Sequence, residues 1–133
     1  MRVLVIEEES KITSLLEQRG QHVVISWNLE TLPTPGRFDA VVIDSRVTMQ
    51  TALLICRNIR SHEDVVPVLV VTDEDSLESR IEAFDAGADA CLSGTLVVDE
   101  LLARLRALVR RSRVSPGWAV EGVRRRSPDQ RPR

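Results

Sequence analysis

The sequence predicts an α/β fold in which a parallel five-stranded sheet lies between two layers of helices. Short runs rich in Val, Ile and Leu recur along the chain without clean alternation, as expected of strands that are covered on both faces. Helical patterns separate these runs, so right-handed crossovers should join consecutive strands. The fold is therefore predicted to be doubly wound, with its functional site at the C-terminal ends of the strands.

Five runs are candidate strands. Four are strong, RVLVI (2–6), HVVIS (22–26), DAVVI (39–43) and VPVLVV (66–71), and DACLS (89–93) is weaker. Helices are predicted between and after them, with weaker patterns at 9–19 and 51–61 and stronger ones at 76–86 and 98–111. The crossover at 27–39 is the exception, because its prolines and glycine leave room for at most one helical turn. We expect that segment to be short or irregular.

The two stronger helices are predicted from their apolar spacing. Residues 76–86 place Leu77, Ile81 and Phe84 at i, i+4 and i+7, which predicts an amphipathic helix with these three as its apolar stripe. Asp75 and Glu78 have the spacing of a capping box at its start. The helix at 98–111 carries a longer stripe, made of Leu101, Leu102, Leu105, Leu108 and Val109.

Composition divides the chain into an acidic body and a basic tail. Residues 1–111 contain 12 basic and 18 acidic residues, net −6, whereas residues 112–133 contain six arginines and two acids, net +4. The tail is rich in Pro and Arg and has no sustained period, so we expect it to be disordered or loosely attached. No apolar run approaches the roughly 18 residues of a membrane span, which predicts a cytoplasmic protein. Cys56 and Cys91 fit neither a disulfide framework nor a zinc site and are predicted to lie in or near the core.

Carboxylates follow three of the predicted strands where their ends should meet. Glu7, Glu8 and Glu9 follow the first strand, Asp44 ends the third, and Thr72, Asp73, Glu74 and Asp75 end the fourth. Two like charges about 4 Å apart repel by about 4 kcal/mol at an effective dielectric near 20, so this group calls for a cation or a proton. Oxygen ligands suit Mg²⁺, and a carboxylate beside that ion can act as a nucleophile toward phosphorus. Alternatively, the glutamates cap helix N-termini.

The sequence resembles a known protein family. The segments RVLVIEEESKI, FDAVVID, VPVLVVTDED, AFDAGADACL and DELLARLRALVRR are similar in order and spacing to the receiver domain of bacterial response regulators. The resemblance is greatest to the subclass usually followed by a winged-helix DNA-binding domain. It implies that Asp44 is the phosphoacceptor, that Glu7 and Glu8 hold Mg²⁺ with Asp44, and that Thr72 hydrogen-bonds the phosphoryl group.

The sequence departs from the family around this same site. Glu8 replaces the usual metal-binding Asp, and Gly94-Thr95 stands where the family has Lys and a cis-Pro. Cys91 replaces the aromatic residue of the switch. Thr48 and Met49 replace a Pro-Gly pair and Ala52 replaces a Gly, so the loop beside Asp44 should differ. The sequence therefore predicts a trans peptide before Thr95, impaired phosphoryl switching and weak or absent Mg²⁺ binding.

The resemblance also implies an interaction surface. In that subclass, activated receivers form homodimers through the family's fourth helix, fifth strand and fifth helix, here 76–86, 89–93 and 98–111. The charges that match are Arg80, Asp89, Glu100, Arg104 and Arg111. The alternative is that Glu100 and Arg104 form an ordinary surface pair within one helix.

We therefore predict an atypical stand-alone response regulator, not an enzyme, that signals mainly by protein–protein interaction. One alternative is a phosphorylation-competent regulator that receives a phosphoryl group from a histidine kinase on Asp44. Another is nucleic-acid binding through the basic tail, which is less favoured because no recognisable module accompanies the arginines. A metal-dependent hydrolase is disfavoured because neither His22 nor His62 is placed to act as a base at these acids.

Overall fold

The computed structural model describes residues 1–26, 37–44, 49–62, 65–73 and 76–113. Its five strands are β1 (Arg2–Ile6), β2 (His22–Ser26), β3 (Ala40–Asp44), β4 (Val68–Thr72) and β5 (Ala90–Ser93). Its four described helices are α1 (Lys11–Gln18), α2 (Met49–Ser61), α3 (Leu77–Ala86) and α4 (Val98–Arg113). All the strands and helices predicted from the sequence are present, with bounds that differ by about two residues.

The strands form one parallel sheet in the order β2-β1-β3-β4-β5. Because β1 lies between β2 and β3, the winding direction reverses beside it, and a crevice opens at this switch point. Ile6 lies opposite Ile43 in the register, and Asp44 lies opposite Val71. The residues after β1 and at the end of β3 are therefore brought to the same edge of the sheet.

The core has two layers, one on each face of the sheet. Buried residues of α2 and α3 pack on one face, against strand residues such as Ile43 and Val70. Buried residues of α1 and α4 pack on the other, against strand residues such as Val42 and Val71. The stripe predicted on α4, from Leu101 to Val109, is buried as expected. Cys56 is buried and Cys91 is half-buried, and neither forms a disulfide.

The apolar stripe predicted on α3 faces the solvent and not the core. Leu77, Ile81 and Phe84 are 66%, 49% and 48% exposed, whereas Ser79, Ala83 and Ala86 face the core. Small side chains on the buried side let α3 approach the sheet closely, and the large apolar stripe is left on the solvent side. The capping box was also misplaced, because the side chain of Ser76 accepts a hydrogen bond from the Ser79 backbone N–H.

Three other expectations concern bounds or loops. The helix after β3 begins at Met49, so Met49 and Ala52, which replace the family's usual residues, are helical. The last helix extends to Arg113, two residues past the predicted domain boundary. The crossover predicted to be irregular lies outside the described residues over 27–36, as does the tail from 114 onward.

Candidate functional site

The C-terminal edge of the sheet brings several of the predicted site residues together. Glu7 directly follows β1, and Asp44 is the last residue of the adjacent β3. Thr72 ends β4 one residue beyond Val71, the partner of Asp44 in the register. Glu7 and Thr72 are buried, Asp44 is half-buried and Glu8 is exposed. Glu7, Glu8 and Asp44 therefore lie at the same edge of the sheet, at the switch point, with Thr72 on the neighbouring strand.

A small cleft opens between this edge and the start of α2. Its walls include Ile6, Ile43, Ala52 and Ile55, and its polar groups are Glu7, Glu8, Asp44 and Thr51. Thr72 is not among the lining residues. The cleft therefore combines the three predicted metal-binding acids with an apolar floor, while the predicted phosphoryl-binding hydroxyl lies on the next strand.

Glu7 is engaged by the N-terminus of α1. Its Oε1 accepts a hydrogen bond from the Ile12 N–H (3.1 Å), and its Oε2 accepts from the N–H and the hydroxyl of Thr13 (both 2.8 Å). The side chain is 2% exposed. A carboxylate has about four lone-pair sites, so these bonds fill Oε2 and leave one site on Oε1. The helix-cap alternative thus describes the observed contacts of Glu7.

The arrangement does not fit a magnesium site built from three carboxylates. Glu7 has little acceptor capacity left, and Glu8 reaches out from an exposed position. Over the described ranges, no three His, Cys, Asp or Glu side chains are close enough together to hold a metal ion. Mg²⁺ requires near-ideal octahedral geometry, which the two remaining acids, Glu8 and Asp44, would have to supply largely with water.

Sequence reasoning missed Thr51 as a residue of the cleft. It lies in the first turns of α2, next to Ala52, and both line the cleft. The substitution at position 52 was the available signal, because replacing Gly removes a helix breaker from the chain just past Asp44. Allowing α2 to begin early would have placed the Thr51 hydroxyl near the acids.

The loop after β5 differs from the family pattern as predicted. Gly94 has φ +81°, a left-handed conformation that side chains rarely adopt, and the peptide bond before Thr95 is trans, since the described residues contain no cis bond. A Cβ at position 94 would meet nothing within 4 Å, so the backbone conformation rather than crowding favours glycine here. The position of the family's Lys therefore provides no cation.

Cys91 occupies the position that the resemblance assigns to the switch aromatic. It pairs with Val70 in the register and packs against the core layer beneath α2 and α3. Thr72 is two residues beyond Val70 and so points to the same face. The two halves of the family's switch are thus on one face, with a small thiol in place of a ring.

Burial changes the chemistry of the other cysteine. Desolvation raises the pKa of Cys56 from 9.0 to about 11, and the Arg60 guanidinium opposes that rise only in part. The thiol therefore stays protonated at neutral pH, which suits a packing residue rather than a nucleophile.

The predicted interface charges are in different environments. Asp89 accepts hydrogen bonds through Oδ2 from the Arg60 guanidinium and from the Val68 N–H, both at 2.8 Å. Arg60 also donates to the carbonyls of Gly87 and Val66, so it ties the end of α2 to the α3–β5 turn. The interaction with Arg60 identifies an intramolecular role for Asp89 that the sequence did not suggest.

The remaining charges are exposed. Glu100 and Arg104 form an i, i+4 pair at 3.5 Å, as in the simple surface alternative. Arg80 on α3 and Arg111 on α4 are both exposed. These helices pack on opposite faces of the sheet and flank β5, an edge strand. The charges therefore surround the same edge of the molecule as the apolar stripe of α3.

Neither a membrane-spanning helix nor the basic tail is part of the described structure. Within the described ranges, no helix has the length and apolarity needed to cross a membrane. The predicted nucleic-acid-binding arginines at 124–126 lie outside the described part of the chain.

Comparisons with known proteins agree with this fold. A sequence model of the family described as "Response regulator receiver domain" matches residues 3–106. Response regulator MprA of Mycobacterium ulcerans is 34% identical over 131 residues, covering 92% of this chain and 56% of MprA. The chain thus spans about half the length of this relative.

Two solved structures have the same fold. The receiver domain of the Francisella response regulator 1452 superposes with a TM-score of 0.70 at 24% identity, covering 84% of this chain and 98% of that one. The receiver domain of the sensor histidine kinase PA1611 from Pseudomonas aeruginosa gives 0.70 at 21% identity, covering 82% and 97%. In that second protein, a magnesium ion is coordinated in the active-site cleft.

Proposed function

This chain belongs to the family of response regulator receiver domains, which act in two-component signalling, and from that premise we propose that it signals mainly by binding other proteins. In this proposal, phosphoryl transfer to Asp44 has lost most of its control over binding. The observation that carries the proposal is the apolar stripe that α3 exposes in the unmodified fold.

The stripe has the properties of an interaction surface. Three large apolar side chains, Leu77, Ile81 and Phe84, lie on the solvent side of one helix and are each about half exposed or more. Contiguous apolar surface bordered by polar residues is typical of protein-binding sites. Arg80, Glu100, Arg104 and Arg111 are exposed on the two helices flanking β5, which adds polar groups around the stripe. A second copy of the chain is one partner that this surface could bind as a symmetric dimer.

Weak phosphoryl control is supported by the groups around Asp44. Gly94 offers no cation to a phosphoryl group, and a hydrogen bond to a charged partner is worth about 1.5 to 3 kcal/mol. Glu7 is largely occupied by α1, which limits metal binding. Shifting a two-state switch from 1:99 to 99:1 requires about 5.5 kcal/mol, so these losses remove much of the driving force.

The first test separates binding from phosphorylation. Intact-protein mass is measured after incubation with Mg²⁺ and a small-molecule phosphodonor, with Asp44→Asn as the control. We expect little or no gain of a phosphoryl group in the parent. A complete gain that is lost in Asp44→Asn would contradict the impaired switch and favour the phosphorylation-competent alternative, which the location of Asp44 beside Glu7 and Glu8 in the cleft supports.

The second test concerns the surface. Sedimentation velocity over a range of protein concentrations compares the parent with Phe84→Ser and with Leu54→Ser. Leu54 is a matched control, since it is a large apolar residue of similar exposure, 54%, on a different helix, α2. We expect Phe84→Ser alone to weaken self-association. Equal behaviour of all three proteins would refute the role of the stripe.

A further inference from the structure

The solvent side of α3 combines its apolar stripe with negative charge. At 100° per residue, Leu77, Ile81 and Phe84 lie within about 60° of one another around the helix axis, and Glu78 and Asp85 lie together along one border. Glu78, Glu82 and Asp85 are all exposed. Between residues 73 and 86 the sequence has six acids and one arginine, net −5. A ligand for this surface should therefore be both apolar and basic.

The chain contains such a segment after α4. Residues 114–133 lie outside the described part, and their sequence includes Trp118, Val120 and Val123 followed directly by Arg124, Arg125 and Arg126. With five arginines and two acids, the segment has a net charge of +3. We propose that residues 118–126 dock on α3 of the same chain, with their apolar side chains on the stripe and their arginines beside its acidic border.

The topology places the two ends of this contact close enough to meet. Both α3 and α4 follow parallel strands that end at one edge of the sheet, so both helices run back toward the opposite edge. Arg113 and Phe84 are therefore near the same end of the molecule, on either side of the edge strand β5. Five extended residues, 114–118, span up to about 17 Å, and the stripe from Phe84 to Leu77 is about 10 Å long. Beyond Trp118, residues 119–126 are long enough to run along the whole stripe.

Docking would regulate the surface assigned above to partner binding. A partner would have to displace residues 118–126 before it could contact Leu77, Ile81 and Phe84. Only this regulatory consequence rests on the proposed function, since the intramolecular contact itself needs no partner. Its affinity should fall with salt, because part of it is attraction between exposed charges.

The experiment uses Trp118 as its own probe in the chain of 133 residues. The sequence has two tryptophans, so Trp27→Phe leaves Trp118 as the sole emitter. Acrylamide quenching and the emission maximum are compared in this background with and without three sets of substitutions. These are Ile81→Ser with Phe84→Ser on the stripe, alanine at Arg124, Arg125 and Arg126, and Leu54→Ser as the matched control.

A segment that is docked about two thirds of the time should show quenching about threefold weaker than that of a fully exposed tryptophan. The stripe and arginine variants, and about 0.5 M salt, should restore full quenching and shift the emission to longer wavelength. The Leu54→Ser control should behave as the parent does. Circular dichroism confirms that each variant is folded.

Two results would overturn the proposal. Equal quenching in the parent and in the stripe variant would show that Trp118 does not contact α3. Quenching that strengthens as the protein is diluted would assign the contact to a second copy instead of the same chain. If Trp118 is fully exposed while Phe84→Ser still abolishes self-association, the docking proposal fails and the proposed function stands. The reverse pattern, docking without any effect of Phe84→Ser on partners, refutes the proposed function alone.

Discussion

Replacing Glu7 with Gln should destabilise the protein, although this residue belongs to an acidic cluster. In a cluster whose repulsion is offset only by a bound cation, removing one charge relieves repulsion and stabilises the metal-free fold. Here the carboxylate accepts hydrogen bonds from Ile12 and Thr13 at the start of α1. The two interpretations of Glu7 therefore predict effects of opposite sign.

The magnitude follows from the number of donors. Gln has a single acceptor oxygen, so it can replace Oε1 or Oε2 of Glu7 but not both. At least one buried N–H loses its partner, and the amide NH₂ then faces other donors. Hydrogen bonds to a charged group contribute about 1.5 to 3 kcal/mol each, and a negative charge at a helix N-terminus adds about 0.3 to 1 kcal/mol. Relief of repulsion from Glu8 and Asp44 offsets this loss of stability by roughly 1 kcal/mol. The net loss should be about 2 kcal/mol.

Urea unfolding followed by circular dichroism measures this change. With a slope of about 1.5 kcal/mol per molar urea, the midpoint should fall by about 1 M. Glu8→Gln is the matched control, because Glu8 is adjacent but exposed, and it should change stability by less than about 0.5 kcal/mol. Unfolding is repeated with Mg²⁺, which raises the free energy of unfolding by an amount set by its affinity for the folded state. A more stable Glu7→Gln variant, together with a parent stabilised by Mg²⁺, would refute the assignment of Glu7 as a helix cap.

Three other predictions concern the backbone at Gly94, the hydrogen bonds of Arg60 and the thiol of Cys56. Because Gly94 has φ +81°, both Gly94→Ala and Gly94→Lys should lose about 1 kcal/mol of stability. Only the lysine variant should gain phosphoryl incorporation by mass spectrometry. Equal incorporation in both variants would contradict the role of the lysine charge. Arg60→Ala should lose about 2 to 3 kcal/mol in urea unfolding, since the carbonyls of Gly87 and Val66 lose their donor, whereas the exposed Arg57→Ala should be nearly neutral. Burial raises the pKa of Cys56 to about 11, so the unfolded state releases this proton first. As pH rises from 9 through 11, the parent should therefore lose about 2 to 3 kcal/mol relative to Cys56→Ala. Few other groups titrate in this pH range, because the chain has no tyrosine and one lysine. Parallel pH profiles of the parent and Cys56→Ala would rule the burial effect out.

The sheet and helices were predictable because their signals are local and redundant. Strands buried on both faces require continuous apolar runs, and the buried stripe of α4 repeats over about two and a half turns, from Leu101 to Val109. The orientation of α3 was not predictable in the same way. Leu77, Ile81 and Phe84 mark one side of a helix whether that side faces the core or the solvent. The side was decided by Ser79, Ala83 and Ala86, whose small size permits close packing but gives little hydrophobic signal.

The site was predictable to the level of which residues meet, but not of which contacts they make. Strand order and register suffice to place Glu7 beside Asp44 at one edge. Whether Glu7 points toward a metal or toward α1 depends on where the helix begins relative to β1, a distance of a few ångströms. Thr51 was missed for a related reason, since its position depends on α2 beginning at Met49. Loop lengths of one or two residues decide such contacts, and sequence patterns locate helix ends no better than that.

The exposed stripe and the altered phosphorylation site are connected by an energetic argument. A switch that hides its binding surface needs several kcal/mol from the phosphoryl group to reveal it, and about 5.5 kcal/mol for a nearly complete transition. Here α3 presents the stripe without modification, so a partner has only to displace the docked residues 118–126 proposed above, and nothing on the sheet side of α3 has to move. Having Gly94 in place of the family's lysine then carries no functional penalty, because the binding energy that a lysine would supply to the phosphoryl group is not required. It follows that Asp44→Asn should leave partner affinity unchanged, whereas Phe84→Ser should reduce it. If Asp44→Asn reduces affinity as much as Phe84→Ser does, the surface still depends on the acid, and the two features are not independent.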